Sequence, residues 1–152
     1  MKRLIPSFWM SAVALAGFAT ALPAAAQFAK PEDAVKYRKA AFTVMANHVG
    51  RLSAMAKGER PFDAAAAQNS ARIVETASQL PWEAMVPNSA SGDTRLKPEA
   101  LANAAEFKQL GDKLQVETGK LVTASASLDS LKAQMGPTGG ACKNCHDKFR
   151  KD

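Results

Sequence analysis

Apolar side chains at Val35, Phe42, Met45, Val49, Leu52 and Ala56 recur three, four and seven residues apart, the spacing of one face of an α-helix. Pro31 suits the first turn of that helix, Glu32 and Asp33 sit beside its positive end, and Gly58 supplies a stop. A second helical segment opens at Asp63, a good N-cap after Pro61, and is halted by Pro81; its expected inward stripe is Ala66, Ser70, Ile73, Val74, Ala77 and Leu80. A third is expected over about residues 99–124, with Phe107, Leu110, Leu114, Leu121 and Val122 inward. The fourth starts near Asp129, is expected to be disturbed by "GPTGG" at 136–140, and resumes beyond it. Residues 81–98, "PWEAMVPNSASGDTRLKP", are too rich in proline, glycine and serine for a regular element and read as a crossover connection or a lid. No segment alternates with the period of a strand, so the pattern predicts an all-α protein, most simply an antiparallel four-helix bundle, an architecture whose core often holds a cofactor.

The first 26 residues change the picture of where the chain acts. Lys2 and Arg3, an apolar stretch and the small triplet Ala24-Ala25-Ala26 read as a secretory signal cut before Gln27. The apolar stretch approaches the roughly 20 residues of a membrane span, but Pro6, Pro23 and the small residues before Gln27 favour cleavage over an anchor. Removing 26 of 152 residues leaves a 126-residue domain over 27–152, enough for one core. It also lowers the formal net charge from +6 to +4, because Lys2 and Arg3 leave and no acid does. Basic residues are spread along the chain without interleaved aromatics, which speaks against nucleic-acid binding. No later stretch is apolar for long enough to span a membrane, so no membrane association is expected after cleavage.

The chemistry is concentrated in "GGACKNCHDKFRKD". Cys142, Cys145 and His146 have the Cys-x-x-Cys-His spacing of c-type haem attachment. On a helix all three project from one face, so two thioether bonds and an axial imidazole could hold one macrocycle. A structural zinc site would need four ligands, and the other histidine, His48, lies well off the buried stripe of its helix. A thioredoxin-type redox pair wants a βαβ setting that is missing, and a disulfide three residues apart closes too small a loop to add much stability.

Three further positions stand out. Arg38 interrupts the apolar stripe four residues before Phe42; it either meets a buried anion, such as a haem propionate, or reaches solvent along the edge of the stripe. Phe42 is an ordinary core aromatic or a wall of the haem site. Met45, one turn on, carries a sulfur that can serve as an axial donor.

With "QFAKPEDAVKYRKAAF" at residue 27, "AKGERPFDAAA" after the first helix, "LPWEAM" after the second and "GGACKNCHDKFRK" on the last, the chain closely resembles the cytochrome c′ family across residues 27–152. The resemblance implies a periplasmic homodimer of four-helix bundles with one haem c per chain, attached through Cys142 and Cys145, with His146 as proximal ligand. It implies a high-spin iron without a sixth protein ligand that takes up nitric oxide and carbon monoxide on an apolar side, since Phe42 falls where low-spin relatives place a ligating methionine. It also implies haem contacts for Arg38, Lys39 and Asp93, and an arginine, Arg150, beside the proximal imidazole. The functions that follow are gas binding together with one-electron transfer to periplasmic redox partners; the alternative is a low-spin Met-His electron carrier of the same fold, with Met45 closing the site. No catalytic role is expected, because a peroxidase would need a polar acid-base group on the Phe42 stripe and none stands there.

Overall fold

Several helix ends of the computed structural model, which describes residues 27–152, have a local cause. The expected export signal over 1–26 lies outside the described residues. Helix α1 (Pro31–Ala56) begins with proline in its first turn and Glu32 and Asp33 beside it. It ends in a Schellman arrangement: Gly58 takes φ +76°, its N–H donates to the Met55 carbonyl at 3.1 Å, and the Glu59 N–H donates to the Ala54 carbonyl at 2.9 Å. Helix α2 (Ala64–Gln79) is capped by the Asp63 carboxylate, which accepts from the Ala66 N–H at 3.0 Å. Pro81 then converts the chain to a 3₁₀ turn, Pro81–Ala84. After the crossover come a single turn, α3 (Glu99–Ala102), and the long helices α4 (Ala104–Ala124) and α5 (Leu128–Phe149). Ser127 caps α5 by accepting from the Ser130 N–H at 3.3 Å.

The four long helices form an antiparallel bundle. α1 packs on α2 and α4 on α5 through short connections, α2 packs on α4, and α5 closes the ring against α1. The α2–α4 direction is set by paired contacts that run in opposite senses: Ser78 Oγ meets Thr118 Oγ1 at 3.0 Å, while Trp82 lies against Gly111. Leu52, Met55, Ala67, Ala71, Val74, Leu121 and Leu131 fill the main core. A second cluster of Ala100, Phe107 and Phe149 sits at the other end, where Trp82, Phe107 and Phe149 stack edge-on with centroids 5.6 and 5.3 Å apart. Gln27 and Phe28 are held as well, the Gln27 amide donating to Glu83 at 3.0 Å and the Phe28 ring lying 5.4 Å from Tyr37.

Three expectations need correction. The third segment is not continuous: Asn103 leaves the helical region at φ −106° and ψ 48°, which lets Ala100 and Phe107 both enter the cluster with Phe149. No glycine or proline marks that break. The "GPTGG" run does not interrupt α5, which continues through Pro137. Pro137 and Ala133, the residue whose carbonyl it leaves without a helical partner, are both exposed, so water can hydrate that carbonyl. The buried face of α2 is rotated from the expected stripe: Ala66 and Leu80 are exposed, and Ala67, Ala71 and Ser78 are buried instead. Runs of alanine carry little information about which way a helix faces.

Gly111 is a notch for Trp82. A Cβ there would lie 2.8 Å from the indole Cη2 and 2.9 Å from Cζ3. The indole cannot swing away freely, because its Nε1 donates to the Ser78 carbonyl at 2.6 Å. Gly→Ala inside a helix ordinarily gains up to about 1 kcal/mol; Gly111→Ala is expected instead to cost about 1–3 kcal/mol through overpacking. Urea unfolding of Gly111→Ala, alone and with Trp82→Leu, measures this: the cost should vanish in the double variant.

Candidate haem site

The bundle leaves a cleft of about 630 Å³ at the end where α1, α4 and α5 meet, within the range of about 300–1,000 Å³ usual for cofactor sites. Cys142, Cys145 and His146 all line it from α5, while Phe42, Met45 and Val49 line it from α1. Phe107, Leu110 and Leu114 contribute from α4, with Trp82 and Phe149 at the wall. The two cysteines belong to different packing regions. Cys142 packs against the main core and Cys145 against the cluster of Ala100, Phe107 and Phe149, so the motif bridges the seam between them.

Of the two readings left open for Arg38, the one in which it reaches solvent along the edge of the stripe does not hold. It is buried, with 2% of its surface exposed, yet no carboxylate of the described residues meets it. Its Nη1 donates to the Ala84 carbonyl at 3.2 Å and to Ser89 Oγ at 2.8 Å, and its Nη2 donates to the Ser89 carbonyl and, at 2.9 Å, to Thr94 Oγ1. Four bonds to neutral oxygens strap residues 84–94 over α1 but leave the positive charge uncompensated at the cleft. Burial alone pushes the guanidinium pKa down, although the group stays charged at any ordinary pH. Lys39, also on the cleft, donates to the Asp93 carboxylate at 2.6 Å. That pair is exposed, and the hydrogen bond and charge of Lys39 hold Asp93 below the usual carboxylate range.

Burial raises the pKa of both thiols, that of Cys145 to about 11 with the neighbouring Cys142 adding to the effect. Before attachment both thiols would therefore stay protonated near neutral pH, unlike the thiolates of a zinc site or a reactive redox pair. Burial lowers the pKa of His146, followed by the positive charges of Arg150 and Arg95. The imidazole is thereby kept neutral, the form that binds a metal.

Arg150 stands four residues after His146 and would share its face on a continuing helix, but it reaches the cleft by another route. α5 ends at Phe149, and Arg150 is extended at φ −112° and ψ 133°, so it does not share the helical face of His146. Its backbone bridges to Leu96 in an antiparallel sense, and both residues line the cleft. The structure thus brings Cys142, Cys145, His146, Arg38, Lys39, Phe42, Asp93 and Arg150 together around one space. His48 does not line it. Sequence reasoning missed Trp82, Thr94, Arg95, Phe107 and Leu114 as lining residues. Phe107 and Leu114 were legible only as core positions, while nothing in a loop of mixed composition marks Thr94 or Arg95.

The donor set fits a covalently attached haem: two thiols and one neutral imidazole on a single helical turn, apolar walls, and a buried cation suited to a carboxylate. Fold and site define a c-type haem protein built on a four-helix bundle. The family model described as Cytochrome C′ matches residues 33–150. Cytochrome c′ of Alcaligenes xylosoxydans xylosoxydans is 46% identical over 127 residues, covering 82% of this chain and 98% of that protein. Its counterpart from Rubrivivax gelatinosus is 47% identical over 128 residues, with coverages of 82% and 99%. The crystal structure of the Rubrivivax gelatinosus protein superposes with a TM-score of 0.79 at 46% identity, covering 82% of this chain and all of that one. The chain belongs to the cytochrome c′ family, and it carries haem c, one per chain, bound covalently through Cys142 and Cys145.

Two predictions follow from the rim of the cleft. Arg38→Met keeps the volume but leaves the four loop oxygens without their donor; it is expected to cost about 2–4 kcal/mol in urea unfolding and to speed amide exchange across residues 84–94. The depressed pKa of Asp93 contributes stability that is present above the ordinary aspartate value of about 3.9 and is lost as pH falls through the lower folded value. Asp93→Asn should flatten the acid limb of a stability-against-pH curve, and high salt should do the same in the parent protein.

Proposed function

We propose that this chain is a periplasmic, homodimeric gas-binding haem protein in which His146 is the proximal ligand and no side chain supplies a sixth. Nitric oxide or carbon monoxide would then bind on the apolar side formed by α1. The observation that carries this reading is Phe42, half-buried on the cleft wall, where a ring without a lone pair occupies the position from which α1 could offer a donor. Complexes of the Alcaligenes xylosoxidans protein support it: a ferrous variant with bound NO, TM-score 0.75 at 45% identity over 82% of this chain, and a carbon monoxide-bound variant, TM-score 0.76 at 46% identity. Export rests on the sequence of residues 1–26, and no helix among the described residues is long and apolar enough to cross a membrane.

The haem, when bound, supplies an iron that takes up diatomic gases and exchanges single electrons. His146 presents a neutral imidazole because burial, Arg150 and Arg95 disfavour its protonated form. Phe42, Met45, Val49 and Leu114 give the cleft an apolar wall, which suits small uncharged ligands. Arg38 and Lys39 provide positive charge for the propionates, and Arg38 is already fixed by the 84–94 loop before any ligand arrives. Of the α1 residues on the cleft, Phe42, Met45, Ala46 and Val49 carry no acid-base group, and Arg38 and Lys39 are held by residues of the 84–94 loop, which supports a binding role. One-electron exchange with periplasmic redox partners is compatible with the same open site.

The Met-His alternative has one observation in its favour: Met45 also lines the cleft. Against it, Met45 is 4% exposed and packed in the main core. The absorption spectra of ferric and ferrous protein, with and without nitric oxide, decide. A high-spin spectrum that converts on adding the gas is expected, whereas a low-spin spectrum with a methionine-to-iron band would overturn the proposal. Phe42→Met is expected to create that low-spin spectrum and to abolish carbon monoxide uptake under the same conditions.

A further inference from the structure

Residues 149–151 leave α5 and pair with residues 95–97 of the crossover. The Lys97 N–H donates to the Phe149 carbonyl at 2.8 Å, and the Lys151 N–H donates to the Arg95 carbonyl at 2.7 Å. Arg95 Nε adds a third bond, to the Lys151 carbonyl at 3.0 Å. Leu96 and Arg150 are the residues directly opposite each other in this antiparallel bridge. Opposed residues of an antiparallel pair put their side chains on the same face, and here both line the cleft. The Arg150 N–H also donates to the His146 carbonyl at 3.0 Å, which ties the bridge to the turn of α5 that bears the imidazole.

We propose that this two-strand clasp is the positioning device of the proximal side: the backbone pairing of 95–97 with 149–151 aims Arg150 at the cleft and fixes the end of α5 under His146. The inference rests on the reading of His146 as proximal ligand with Arg150 beside it. A helical residue 150 would lie on the His146 face through side-chain spacing alone; an extended one needs an external partner to hold its direction, and residues 95–97 supply it. Arg95 is then both partner and lining residue, placing a third guanidinium on the cleft beside those of Arg38 and Arg150. Lys151 acts through its backbone only, since its side chain makes no ion pair with any described residue and does not line the cleft.

Lys151→Pro in the haem-loaded protein removes the donor to Arg95 while leaving Arg150 in the extended backbone that the residue before a proline prefers. Lys151→Ala keeps the N–H and is the control. Two quantities are read: amide exchange at Lys97, and the iron–imidazole stretching frequency of the ferrous protein by resonance Raman. The expected result for Lys151→Pro is exchange at Lys97 faster by about threefold to tenfold, the effect of losing one net hydrogen bond, together with a shifted stretching frequency. Lys151→Ala should match the parent in both. Faster exchange with an unshifted frequency would overturn the clasp as a positioning device. If Lys151→Pro does not fold, Arg95→Lys removes the Nε bond but keeps the charge, and the same pair of readings applies. Arg150→Gln separates the two levels: if it leaves the frequency unchanged, the reading of Arg150 beside His146 fails; if it shifts the frequency and the clasp variants do not, only the clasp fails.

Discussion

Three side chains on one turn of α5 have to face a space instead of a neighbouring helix, and most of the bundle is arranged around that requirement. A four-helix bundle is stable because each apolar face is covered by another. Cys142, Cys145 and His146 demand the opposite at one end, so α1, α4 and α5 enclose a cleft there, while at the other end Leu52, Leu121 and Leu131 close the core completely. The crossover between α2 and α4 then provides a rim that no helix could form without filling the gap.

The rim is polar where the walls are apolar, and its polar groups are matched in kind. Arg38 spends its donors on loop oxygens yet keeps its charge, Lys39 holds Asp93, and the Arg95 and Arg150 pair is oriented by main-chain hydrogen bonds. The packing at Gly111 follows the same economy. Leaving out one methyl group lets an indole lie flat enough on α4 to be wall and not obstruction.

Much of this was legible in the sequence because the chemistry uses short, periodic signals. The Cys-x-x-Cys-His spacing pointed to the cleft, and Phe42, Met45 and the arginine interrupting the α1 stripe all line it. What escaped depended on the meeting of distant segments. Thr94 and Arg95 acquire their roles from Arg38 and Lys151, which stand 56 residues away in each case. The extended state of Arg150 is set by residues 95–97, where helical spacing alone would have continued the turn. Asn103 breaks α4 from α3 without a breaker residue, because burying Ala100 and Phe107 together outweighs local propensity.

The rim has a further consequence for the order in which the molecule assembles. The two helical hairpins, α1 with α2 and α4 with α5, close through connections of only a few residues, whereas the Arg38–Ser89, Lys39–Asp93 and Arg95–Lys151 contacts span 51, 54 and 56 residues. Loop-closure entropy disfavours such long-range contacts until the local ones exist. The topology therefore favours a nascent state in which paired helices are present and the mouth around Cys142 and Cys145 is still wide, giving a bulky ring system time to reach both thiols before the door shuts behind it.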